Sequence, residues 1–347
     1  MTRNKQNPDF LHIGKKILSW YQWHGRDLPF RKTKDPYRIW ICEIVFQQTH
    51  IQQGLGHYTK FIERFPDVET LANADEDDVL HSWKGLGYYS RAINIHKAAK
   101  QIQQEFHGIF PEDYDDILKL KGIGKYTAAA VSSICFGKQI PAVDGNFYRV
   151  LSRIFADDFD ISKPSAFSYF SELALHLMPD NEAGSFNQAM MDLGSEICKP
   201  KNPLCHECPV KTDCTAFQTG CVTQFPVKLK KTVVSDLKLE YFFVQFEDSF
   251  LIRQRKDDFI WKKLYEFPNE IPQKFEQLIN RTVTVKHKLT HKNLEIIIHT
   301  VNVQNKQDFE NFAEDYGFTA VDFDTSTAKS FPKPLEEFMD GVFKKNR

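Results

Sequence analysis

The sequence predicts a multidomain protein in which an all-α region is followed by an α+β domain, and three observations carry that prediction. Apolar residues recur at three- and four-residue spacing from about residue 9 to 220. Strand-like runs rich in β-branched and aromatic residues dominate after residue 235. Between the two lies TQFPVKLKKTVVSD, which carries one Pro and several Lys but no periodicity, as a linker does. At roughly 150 residues per domain, 347 residues allow two domains and a sizeable core. The expected division is 1–225, a linker at 226–236, and 237–347.

In the first part Ile13, Ile17, Leu18, Trp20 and Tyr21 mark one helical face, and Ile93, Ile95, His96, Ala99 and Ile102 another. The acidic runs Asp75–Asp78 and Glu112–Asp116 each precede an apolar helical stretch and read as solvated helix starts, where carboxylates are favoured. In the second part LKLEYFFVQF and DSFLIRQRK flank a short polar turn, and TVTVKHKL and LEIIIHTVNV flank another, so each pair reads as a hairpin.

Composition narrows the class. Hydrophobic residues make up 41% and charged residues 26%, ordinary for a soluble protein, and stretches such as IWICEIVF are too short to span a bilayer. The start, MTRNKQNPDF, has no apolar run of the kind a secretion signal needs, so a cytoplasmic location is expected. A net charge of −1 does not announce a nucleic-acid binder; such a role must rest on local patches. Lys84, Arg91, Lys97 and Lys100 form one such run with no acid among them, although a solvated face explains it better on charge alone.

Four of the seven cysteines, Cys198, Cys205, Cys208 and Cys214, are spaced C-x6-C-x2-C-x5-C, a pattern that points to a metal. Four thiolates on one loop suit either tetrahedral zinc or an iron–sulfur cubane, and the spacing leaves both open. Cys221 could replace Cys214 in the set, whereas Cys42 and Cys135 sit in apolar helical contexts and read as buried small hydrophobes. In LKGIGKYTAAAV, Gly122 and Gly124 allow backbone N–H groups to approach an anion at the start of a helix, or serve simply as turn residues. In IPAVDGNFYRV, Asp144 stands where a helix cap or a reactive carboxylate would stand. In RIWICEIVFQQTH, Glu43 is the only charge between Ile39 and Phe46. Burial would raise its pKa and make it an acid near neutrality, or it pairs with an arginine for structural reasons. Gln47, Gln48 and Thr49 then offer polar side chains for base edges or for capping.

Taken together, EIVFQQT, WKGLGYYSRA, LKGIGKYTA, VDGNFYRV, FNQAMMDLG and the four cysteines resemble, in the same order, the MutY family of adenine DNA glycosylases. The resemblance spans nearly the whole chain, is strongest over 9–225, and remains legible in WKKLYEFP and HKLTH. It implies a helix-hairpin-helix core with the hairpin near 117–131, a [4Fe–4S] loop domain at 198–214 in place of zinc, and a C-terminal Nudix-like domain. The implied activity is monofunctional excision of adenine opposite 8-oxoguanine or guanine in base excision repair. The implied partner is duplex DNA bearing those mispairs, with the protein a monomer and a replication clamp or abasic-site endonuclease as further partners.

Carried onto this chain, the resemblance makes Glu43 the general acid and base and Asp144 the carboxylate at the sugar cation. Tyr126 and Asn146 orient them, and Arg31 and Gln188 line the adenine pocket. Gln48 and Tyr88 wedge into the base stack; Gly122, Gly124 and Thr127 contact the DNA; Leu289, Thr290 and His291 meet the lesion. Lys199 and Lys201 would present positive charge to the backbone. The related endonuclease III enzymes carry a lysine nucleophile where this chain has Tyr126, and Lys125 points about 100° away around the helix.

Three departures stand out: Leu289 replaces an aromatic, Gln188 replaces a Glu of some relatives, and Phe30 replaces a Trp. The stretch NEIPQKFEQLINR lacks the acidic helix that would bind magnesium in a pyrophosphohydrolase. The alternatives are an endonuclease III-like glycosylase and lyase, or a catalytically silent lesion-binding protein.

Overall fold

The computed structural model describes residues 10–230, 233–256 and 260–343. Residues 1–9, and positions 231 and 232 of the expected linker, lie outside the described residues. The chain forms two compact units: one holds the residues to Asn73 and from Lys97 to the linker, the other Ala74–His96 together with the residues that follow the linker.

The first unit is helical. Helix α1 (Leu11–His24) buries Ile13, Gly14, Ile17 and Leu18, the face expected from their spacing. Gly14 is required there, since a Cβ would lie 1.7 Å from the Leu177 carbonyl oxygen. Helix α2 (Pro36–Val45) starts at Asp35, whose carboxylate accepts from the Tyr37 and Arg38 amides, with Pro36 at the first helical position. Seven of its ten residues are buried, so it runs through the core and not along the surface.

Helices α3 (Tyr114–Lys119) and α4 (Lys125–Phe136) are joined by the LKGIG turn, in which Gly122 has φ +77°, a conformation costly for any residue with a Cβ. The stretch Thr127–Ser133 of α4 is wholly buried, and α4 packs on both α2 and α6 (Ala183–Asp192). Helix α5 (Gly145–Phe155) begins at Asp144. After α6 the chain widens into a π-helical turn, Leu193–Ile197, and runs directly into Cys198.

The second unit carries a six-stranded mixed sheet. In chain order the strands are β1 (Ser235–Phe246), β2 (Ser249–Gln254), β3 (Tyr265–Glu266), β4 (Ile279–Lys288), β5 (Lys292–Asn302) and β6 (Thr319–Asp322). Their order in the sheet is β3-β2-β1-β5-β4, with β6 on β2. Both expected hairpins form, β1–β2 and β4–β5, while β1 and β5 pair in parallel from Ser235 opposite Lys292. Thus β1 begins inside the stretch read as linker. One apolar cluster joins the sheet to Phe331, Leu335 and Phe338; another joins it to Phe309 and Phe312, giving helix-covered faces and an α+β unit.

Two sequence expectations are corrected here. The run Asp75–Asp78 is not merely a solvated helix start, because Asp77 accepts from the Tyr265 hydroxyl at 3.0 Å, Lys329 Nζ at 2.8 Å and Gln254 Nε2 at 3.3 Å. The basic run is likewise no single free face. Lys84 pairs with Glu336 at 3.0 Å, and Arg91, only 8% exposed, lies against the Trp83 and Tyr88 rings. Lys97 and Lys100 do reach solvent. Cys42 is buried as expected, while Cys135 is only partly so. Among the described residues no helix is long and apolar enough to cross a membrane.

Because the contact at Gly14 is with backbone, Gly14→Ala cannot be relieved by a rotamer change. The substitution should destabilise the first unit by about 1–3 kcal/mol or more, read as a lowered denaturant midpoint with an unchanged slope.

Candidate active site

A cavity of about 610 Å³ opens in the helical unit, with Arg31, Glu43, Tyr126, Asp144 and Asn146 among its walls. Five sequence-chosen residues are thereby brought together. Glu43 reaches the cavity from α2, and the Tyr126 hydroxyl at the start of α4 donates to its Oε2 at 2.7 Å. Burial is the main force on the Glu43 carboxyl and pushes its pKa up to about 7. The Tyr126 hydrogen bond and the Arg31 charge oppose that rise, and the Asp144 charge adds to it. The same burial holds the Tyr126 phenol well above its ordinary value, so it stays a donor.

Asp144 caps α5: its Oδ1 accepts from the Asn146 amide at 2.8 Å and the Phe147 amide at 3.0 Å. Its Oδ2 accepts from the Asn146 side chain at 2.8 Å. Burial raises the Asp144 pKa, and the three hydrogen bonds and the Arg149 charge, which favour the anion, oppose that rise. The cap reading and the reactive-carboxylate reading are therefore both compatible with one geometry.

Arg149 was not singled out from the sequence. Its Nη2 donates to Asn146 Oδ1 at 2.6 Å and to the Gly194 carbonyl, and its Nε donates to the Cys198 carbonyl at 2.7 Å. Gly194 is needed for this packing, since a Cβ would stand 2.6 Å from that of Asn146. Asp192 was also missed. It lies at the end of α6, wholly buried, holding Arg26 and Arg31. The signal was present in VDGNFYRV and FNQAMMDLG, but the pairing of Arg31 with Asp192 across 161 residues is visible only in three dimensions.

Other expected residues are placed differently. Gln188 does not line the cavity; its side-chain oxygen accepts from the Tyr21 hydroxyl at 2.7 Å, and the Tyr21 ring carries Arg31 at 5.5 Å. Met191 is at the wall instead. Phe30 does line the cavity, packed against Phe46 and Tyr58. The Thr127 side chain is buried and faces Gln47 at 3.3 Å. Around Gly124 a Cβ would meet nothing within 4 Å, so that turn is open to an approaching group. Lys125 lies over the Phe167 ring at 5.3 Å and is not a cavity residue.

Gln48 and Tyr88 are both exposed, and each holds a positive φ, +55° and +48°, which is uncommon for residues with a Cβ. In the second unit Thr290 and His291 form the exposed turn of the β4–β5 hairpin, and Leu289 packs back on the sheet core. The Tyr88 and Thr290 hydroxyls are hydrogen-bonded.

The four expected cysteines line one small pocket with Arg153. Burial pushes the Cys208 thiol up to about 12, helped by the charges of Cys198, Cys214 and Cys205, so the four sulfurs feel one another. Arg153 donates to the Cys198 sulfur at 3.3 Å and to its carbonyl. Cys221 is outside this pocket, 2.9 Å from the Thr219 hydroxyl. Among the described residues no three of His, Cys, Asp and Glu close on a single ion.

Comparison with known proteins places this architecture. Residues 41–173 match the HhH-GPD superfamily base excision DNA repair proteins, and residues 241–341 match the NUDIX domain. An adenine DNA glycosylase of Buchnera aphidicola (subspecies Schizaphis graminum) is 33% identical over 343 residues, 94% of this chain and 97% of its own. The chain belongs to the adenine DNA glycosylase family. The rat adenine DNA glycosylase is 36% identical over 219 residues, 60% of this chain and 42% of its own. A thermostable thymine-DNA glycosylase structure superposes with TM-score 0.58 and 30% identity, covering 62% of this family member and all of that chain. An endonuclease III–DNA complex superposes with TM-score 0.53 over 60% of this chain and 95% of that one, and at 21% identity it speaks to fold alone.

In this adenine DNA glycosylase family member, Gly194→Ala should push Asn146 off Asp144. The expected result is a loss of at least about tenfold in single-turnover base excision with the far-ultraviolet spectrum preserved. A rate within twofold of wild type would show that Asn146 does not depend on that seat.

Proposed function

We propose that this chain excises adenine paired with 8-oxoguanine, or less efficiently with guanine, from duplex DNA, leaving an abasic site without cutting the strand. The observation that carries this reading is that Glu43 and Asp144 line one cavity beside a tyrosine hydroxyl, not beside an amine. An adenine N-glycosidic bond breaks readily only when the leaving base is protonated. With a pKa of about 7, Glu43 can donate to a ring nitrogen, while the three donors on Asp144 favour the anion that the reaction needs beside C1′.

As the C1′–N bond breaks, its electron pair leaves with adenine, and the Asp144 carboxylate offsets the oxocarbenium charge or bonds to C1′. Glu43, now a carboxylate, takes a proton from water as the water oxygen attacks C1′. Tyr126 holds the Glu43 carboxyl from one side, and Asn146 holds Asp144. Arg31 would form the wall for the base, and Gln188 would act on it through Tyr21.

Reaching C1′ requires flipping the nucleotide out of the stack. Gln48 and Tyr88 are proposed as the wedges, which accords with their exposure and positive φ, a strain that concentrates at functional positions. The turn at Gly122 and Gly124 would receive a backbone phosphate on its N–H groups, as would the amide of Thr127, whose hydroxyl is turned inward. Leu289, Thr290 and His291 would meet the base opposite adenine. Residues 1–225 would form the catalytic region and 237–347 the recognition domain.

The four cysteines, an all-sulfur donor set around one pocket, fit a [4Fe–4S] cluster better than the hard-donor set of a magnesium or calcium site. When bound, the cluster would close the 198–214 segment and supply a redox-capable centre; the excision steps above draw only on side chains of the chain. Lys199 and Lys201 on that segment would face the DNA backbone. Because no lysine is among the described residues that line the cavity, strand cleavage would fall to a separate abasic-site endonuclease. The protein would act as a cytoplasmic monomer.

The test is single-turnover excision from duplexes pairing A with 8-oxoguanine, G, C and T, with and without alkali. Adenine-specific release with strand breaks only after alkali is expected. Efficient borohydride trapping of a covalent complex would instead favour the lyase reading, and tight binding without turnover a silent lesion binder. Glu43→Gln should abolish release. Since Glu43 acts when protonated and its pKa is raised, activity is present below about pH 7 and should fall about tenfold per unit above it. Cys198→Ser should reduce bound iron and sulfide per chain.

A further inference from the structure

The cavity wall contains two guanidinium groups, and a single buried carboxylate holds both. Asp192 is 0% exposed and accepts from the Arg26 amide at 3.0 Å, Arg26 Nε at 2.8 Å and Arg26 Nη2 at 2.5 Å. It also takes Arg31 Nη1 at 2.6 Å and Nη2 at 2.7 Å. Such saturation keeps Asp192 ionised, its pKa below the ordinary carboxylate range although burial alone would raise it. Arg31 in turn donates to the Arg26 carbonyl at 3.2 Å, so the trio is one rigid piece with a net charge of +1.

We infer that Asp192 is a positioning residue that leaves Glu43 its proton at neutral pH by cancelling one of the two arginine charges on the cavity wall. The inference rests on the reading of Glu43 as the acid. It goes beyond that reading by giving the family's chemistry a charge balance set by a residue that does not line the cavity.

The groups facing Glu43 can be named element by element. Cys42 neighbours it on α2, and its buried thiol stays protonated. Tyr126 donates to it from α4. Asp144, at the start of α5, favours its protonated form, whereas Arg31 favours the anion. At the cavity mouth His50 and Glu196 are exposed to solvent, and Glu196 lies 3.6 Å from Arg26 Nη1, so water screens their effect. Arg31 is thus the cation that acts on the carboxyl from inside the protein, and Asp192 is the anion that offsets it. Charges in such a setting act through a low effective dielectric, so loss of one partner is felt by its neighbours.

The readout is the pH dependence of single-turnover excision with enzyme in excess, which separates the chemical step from binding. Asp192→Asn leaves two uncompensated cations and should move the alkaline limb down by about one pH unit. That is roughly a tenfold loss at pH 7.5, with near-wild-type rates at pH 5.5. Arg26→Gln, which takes the trio from +1 to neutral, should move the limb the opposite way, and Asp192→Asn with Arg26→Gln should return it toward wild type. If Asp192→Asn does not fold, the upward move in Arg26→Gln decides the matter. A uniform rate loss at every pH, with the limb unmoved in these variants, overturns the inference and leaves Asp192 a structural ion pair. Failure of the underlying reading looks different: Glu43→Gln would then keep both its activity and the limb.

Discussion

One part-buried hydrogen bond organises the helical unit's chemistry: the Tyr126 hydroxyl on the Glu43 carboxyl. Glu43 sits on a helix whose residues are mostly buried, so the carboxyl cannot be solvated from behind and stays near the point of balance between its two protonation states. A phenol is suited to that position because burial keeps it protonated and therefore able to donate in either state of its partner. The helix that carries Tyr126 is itself locked by a wholly buried stretch of small residues, so the bond length is set by backbone packing.

Around that bond the carboxylates are treated in opposite ways. Glu43 has one side-chain donor, whereas Asp144 has three contacts from a helix N-terminus, which stabilise an anion. Two acids alike in type but unlike in surroundings can thus take different parts in one reaction. The same contrast explains why Asp192, the most heavily hydrogen-bonded of the three, serves best as fixed charge.

Much of the core was legible because its signals are local. The spacing of Ile13, Ile17 and Leu18, the lone charge of Glu43 in an apolar helix, and the Gly122 turn each express a backbone or burial constraint within a few residues. The hairpins were legible for the same reason. What escaped was long-range pairing: Arg149 reaching Cys198, Asp192 gripping Arg31, and Asp77 gathering Tyr265 and Lys329. An acid before a helix looks alike in sequence whether water or three protein donors satisfy it. Gln188 shows the converse limit, since a residue in the right stretch can act on the wall through a neighbour.

The π-helical turn at Leu193–Ile197 has a geometric consequence for how the chain can vary. It sits between the buried carboxylate at the end of α6 and the first cysteine, and its wide winding lets both point where they do. An added or deleted residue in that interval would rotate everything downstream by about 100° relative to α6. Either the arginine clamp or the sulfur pocket would then lose its register. The interval is a gauge block between two sites, and the chain can change its side chains far more freely than its length.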